Sequence, residues 1–166
     1  MSDNLSEKRI VKELPLVDRQ AVDELIVNKN SNLPQLIDEF DARHPEFGNI
    51  LFNEFRLKSE DTASRVTIGA LITGLLLEHS RLRVGGDIPG DIEEDAVTAT
   101  LASWVDKSDE EIIKQNDRMT HQQSELFRGL GVFANIAGAS TVEYKLGGIL
   151  MLRIYEHVAT ARRINL

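Results

Sequence analysis

Cysteine is absent from this 166-residue sequence, which excludes disulfide bracing, thiol catalysis, cysteine-ligated zinc and iron–sulfur clusters together. Aromatic residues are scarce, at 5%. Leucine, isoleucine, valine and alanine must therefore fill the core, a palette that suits helices better than sheets. No apolar stretch approaches the roughly 20 residues of a spanning helix; the longest, Val66–Leu77, stops at Arg65 and Glu78. The first 30 residues carry no apolar signal region, so a reducing cytoplasm is the expected compartment and no membrane contact is expected. Excess positive charge is missing too, with 19 basic against 27 acidic side chains and a net charge of -8. Residues 1–58 hold 8 basic and 11 acidic groups, 59–125 hold 6 and 14, and 126–166 hold 5 and 2. Such a field repels nucleic acid and anionic lipid, leaving only the C-terminal quarter as a local basic face.

What is present reads as helix. The length suits one domain spanning 1–166, and an apolar fraction of 42% supplies a core. Short amphipathic helices are expected over 1–58: one from Ser6 to Leu14, one capped by Asp18, one opening at Leu33-Pro34, and one after Pro45. They form a collar around two far more apolar helices. The first runs from about Thr62 to Arg83 and is apolar nearly all round between Val66 and Leu77, the mark of a helix covered on every side. Its Gly69 and Gly74 fit if neighbouring backbones pass close there. The second begins at Thr141, reaches about Arg163, and is apolar over Leu146–Tyr155. Between them lie an acidic loop at 85–95, expected to be mobile, and a helix over about Ile92–Val105, where Val97, Thr98, Thr100 and Val105 leave a strand reading open. A capping box at Ser108–Glu111 then launches one long helix toward Ile136, which Gly129 and Gly131 are placed to kink. The predicted class is all-α, a bundle of about six to eight helices.

An internal similarity links the two apolar helices at an offset of 78. Ile68-Gly69-Ala70-Leu71-Ile72 with Glu78-His79 parallels Leu146-Gly147-Gly148-Ile149-Leu150 with Glu156-His157, as the halves of a duplicated hairpin would.

The chain holds residues suited to three different roles. His79, His121, Glu125 and His157 would be the ligands of a metal-dependent helical-bundle enzyme, and His121 and Glu125 share a helical face. Adjacent Glu-His residues, however, point about 100° apart on a helix and do not both turn inward. Ala134–Lys145 resembles the centre of a helix-turn-helix, with Ser140, Thr141, Lys145, Arg162 and Arg163 as the nucleic-acid-binding set of a DNA-binding regulator. The second helix is too apolar to expose a groove-reading side. Phosphate-cradle and nucleophile-elbow motifs are missing. The sequence therefore points to a non-enzymatic protein–protein interaction or scaffold protein that also self-associates and needs no cofactor. Phe47, Phe52, Phe55 and Trp104 are its expected partner contacts.

Overall fold

The computed structural model describes residues 14–55, 59–84 and 94–164. They are overwhelmingly helical, and no strand occurs among them. The expected helix from Ser6 and all but the end of the acidic loop at 85–95 lie outside the described residues.

Side-chain caps and first-turn prolines account for several helix starts. Asp18 Oδ1 accepts the Ala21 amide at 2.7 Å and opens α1, Arg19–Val22, which runs directly into a π-helical turn, Asp23–Val27. Pro34 sits in the first turn of α2, Leu33–Arg43, where its missing amide costs nothing. Pro45 likewise begins α3, Pro45–Phe55. Ser59 Oγ accepts the Thr62 amide at 3.0 Å ahead of α4, Glu60–Val84. Glu94–Ala102 is helical, α5, so the strand reading of Val97–Val105 fails. Its Val97 and Leu101, four apart on one helix face, are both buried.

Ser108 caps as its sequence position predicts, accepting the Glu111 amide at 3.2 Å. The long helix expected after it is three helices: α6, Asp109–Gln115; α7, Asp117–Gln122; and α8, Ser124–Ile136. The breaks fall at Asn116 and Gln123, not at Gly129 or Gly131, through which α8 runs unbroken. Both break residues are buried, at 5% and 6% exposure, so their amides need partners inside the protein. Gln123 accepts the Val17 amide at 3.0 Å and donates to the Pro15 carbonyl at 3.0 Å, which straps the N-terminal segment onto the α7–α8 junction. Asn116 donates to the Ile112 carbonyl at 2.7 Å and accepts from Arg153 at 2.7 Å.

Gly138, with φ at +68°, turns the chain into α9, Thr141–Ile164. Helices α4 and α9 form the centre, with Leu71–Leu77 and Leu146–Leu152 buried throughout. The pair is parallel and so is not a hairpin. Arg65 Nη1 meets Glu143 Oε1 at 2.9 Å near both N-termini, and 13 residues further along α4 the charge of Glu78 acts on Tyr155. That span is about 20 Å of helix. Between these points each backbone enters a notch on the other. A Cβ on Gly69 would lie 2.9 Å from Tyr144 Cα, and one on Gly147 would lie 2.7 Å from the Ala70 nitrogen. Gly74 serves another purpose, since it makes room for the Phe40 ring of α2 rather than for a backbone.

Candidate functional site

Among the described residues, two depressions flank the central pair. The first is an apolar groove of about 550 Å³ where α2, α3, α4 and the end of α8 meet. Leu33 and Leu71 form its buried floor, while Ile37, Ile68 and Phe133 stand half-buried along it. Phe133 is held by an edge-on contact with Tyr144, ring centroids 5.4 Å apart. One turn beyond Phe133, Ile136 is 68% exposed, so the apolar surface continues past the groove mouth. Exposed Asp38 and Asp41 line the rim, and no lysine or arginine lies in the lining.

The second is a polar cleft of about 450 Å³ bounded by α5, the 103–107 turn, α6 and α9. Trp104, Lys107 and Arg153 line it together with Thr100, Ser103 and Glu156. Trp104 is half-buried against the core edge, and Ser103 Oγ donates to the Thr100 carbonyl at 2.6 Å.

No known protein family, curated protein or solved structure matches this chain.

Of the expected partner contacts, Trp104 lines the cleft, whereas Phe47 is 1% exposed and belongs to the core. With so few aromatics the interior claims it, so it is not a surface anchor. The Phe52 and Phe55 side chains lie outside the described residues. Two of the expected metal ligands are engaged by other side chains. His79 Nε2 pairs with Glu24 at 2.9 Å, and Glu125 takes Arg128 Nε at 2.8 Å while Arg128 Nη2 reaches Asp23 at 3.3 Å. The π turn thus sends its two acids to opposite partners, Asp23 toward α8 and Glu24 toward α4. The hydrogen bond to Glu125, reinforced by Asp23, raises the Arg128 pKa despite partial burial. His121 is exposed, and the His157 side chain lies outside the described residues. No cluster of three or more histidine, aspartate or glutamate side chains suited to a metal occurs among the described residues.

The Ala134–Lys145 segment does form helix, turn and helix. Ser140 and Thr141 are exposed and Lys145 half-buried, but Tyr144 and Leu146–Leu152 are buried, so this stretch of α9 is turned into the core rather than toward a nucleic-acid groove. The side chains of Arg162 and Arg163 lie outside the described residues. At the other end of the molecule, Arg43 grips Glu78 with two hydrogen bonds of 2.8 Å, and these raise the Arg43 pKa. Nearby, burial first, then the Glu78 charge, pushes the Tyr155 phenol up from its ordinary pKa, with Arg43 opposing. These groups tie α2 to the central pair and leave the groove to apolar contact.

Sequence reasoning missed the groove entirely, because its lining comes from four helices that no local pattern relates. The cleft had one visible signal, the lone tryptophan beside a predicted helix end.

Proposed function

We infer that this protein is a non-enzymatic interaction domain whose apolar groove receives one face of an amphipathic helix with basic flanking residues. The observation that carries this reading is the combination of half-buried Ile37, Ile68 and Phe133 with a rim that holds Asp38 and Asp41 and no cation. An apolar helix face fills such a groove through residues at i, i+3, i+4 and i+7. Lysine or arginine at its flank complements the rim and favours the right orientation. Exposed Ile136 lengthens the contact beyond the groove. No helix among the described residues is long and apolar enough to cross a membrane. With no disulfide to brace the fold outside the cell, we place the interaction in the cytoplasm.

The test is affinity capture from the source cells with the wild-type protein and with Ile68→Asp and Asp38→Lys variants, read by mass spectrometry and light scattering. The expected result is a partner retained by the wild type, lost on Ile68→Asp and weakened on Asp38→Lys. Identical capture by the wild type and Ile68→Asp overturns the reading. A dimer seen by light scattering that Ile68→Asp dissolves identifies the partner as a second copy of the chain.

A further inference from the structure

We propose that the polar cleft between α5, α6 and α9 binds a small organic anion that joins a carboxylate or phosphate to a flat ring. This goes beyond the docking reading, and the two sites share no lining residue.

The argument starts from Arg153, whose guanidinium is held on two sides. Its Nε donates to Asn116 Oδ1 at 2.7 Å, and its Nη1 reaches Glu156 at 3.2 Å. Asn116 is itself locked, because it is buried and its own amide nitrogen is committed to the Ile112 carbonyl. An arginine fixed in this way loses little freedom when it takes a ligand. Its Nη2 has no partner among the described residues, and neither has the Lys107 ammonium on the same lining. Two cations against the single carboxylate of Glu156 give this lining a net positive charge in a protein of net charge -8. Planar guanidinium and a point-charge ammonium together suit a carboxylate or phosphate.

Trp104 sets the rest of the ligand. Half-buried on the same lining, it offers an aromatic surface beside the cations, so a flat ring gains stacking that a bare anion does not. Ser103 and Gln115 add polar groups around the rim. The volume of about 450 Å³ falls within the range of small-molecule sites, roughly 300–1,000 Å³.

Trp104 is the only tryptophan in the chain, so its fluorescence reads this cleft and nothing else. The full chain is titrated at low salt with adenosine 5′-monophosphate and with benzoate, alongside adenosine and inorganic phosphate. The expected result is a saturable change with adenosine monophosphate, benzoate or both, at least about 10-fold tighter than with adenosine or phosphate alone. The two ring-bearing anions tell a phosphate preference from a carboxylate one. Lys107→Gln and Arg153→Gln each weaken binding about 10-fold, while Arg118→Gln, outside the cleft, leaves it unchanged. Arg153→Gln also frees Asn116 and risks the local fold, so Lys107→Gln is the deciding variant, with far-UV circular dichroism as the check. The proposal is overturned by no saturable response to either ring-bearing anion, by an equal response to adenosine or to phosphate, or by undiminished binding in Lys107→Gln.

Discussion

At Gly147 the backbone of α4 comes so near that an added Cβ would lie 2.7 Å from the Ala70 nitrogen, whereas at Gly131 nothing lies within 4 Å of the same position. The same substitution should therefore act in opposite directions. Gly147→Ala is expected to destabilise by about 2 kcal/mol or more, since two packed backbones have to separate. Gly131→Ala, inside α8 and unobstructed, is expected to stabilise by up to about 1 kcal/mol through helix propensity. Urea unfolding of both variants, with unchanged m-values, measures the pair. The residue scale was partly legible in sequence. A glycine in an otherwise apolar helix signals a close approach, and at Gly69 the approaching group is the expected backbone. At Gly74 it is the Phe40 ring, because helix periodicity does not say what stands opposite.

Element boundaries follow the chemistry of single residues wherever that chemistry is local. Asp18 and Ser108 cap in the structure as their positions predict, since a cap needs only the next three residues. The division of Asp109–Ile136 into three helices is different in kind, because each break residue is bound by a distant segment, Asn116 by Arg153 and Gln123 by Pro15 and Val17. Gln123 leaves the helical pattern where its buried amide reaches Pro15 and Val17. Gln123→Ala is expected to cost about 1–3 kcal/mol, the penalty for stranding a buried donor and acceptor. Amide exchange gives the specific signature: Val17 should lose protection, while amides within α4 and α9 change only as far as global stability does. A Val17 amide that stays as protected as in the wild type would show that the strap does not hold the segment.

For the whole molecule, the organising feature is the parallel packing of α4 on α9, with the remaining helices wrapped around it. Trp104 sits on the α5–α6 turn, away from the Gly69–Gly147 contact, and packs against the same core. Unfolding followed by Trp104 fluorescence and by far-UV circular dichroism should therefore give one shared midpoint. An earlier fluorescence transition would mean that the cleft side unfolds as a separate unit. The amino-acid sequence by itself determined the helical class, the two apolar segments at the centre and most helix starts. Each of these depends on composition, on periodicity or on groups within one turn of each other. Only tertiary structure decided that the central helices run parallel, that Phe47 is interior, that Asn116 and Gln123 break the long helix, and that a groove and a cleft exist. These depend on which surfaces of distant segments meet, and the free energy that selects those meetings is shared among side chains far apart in the chain.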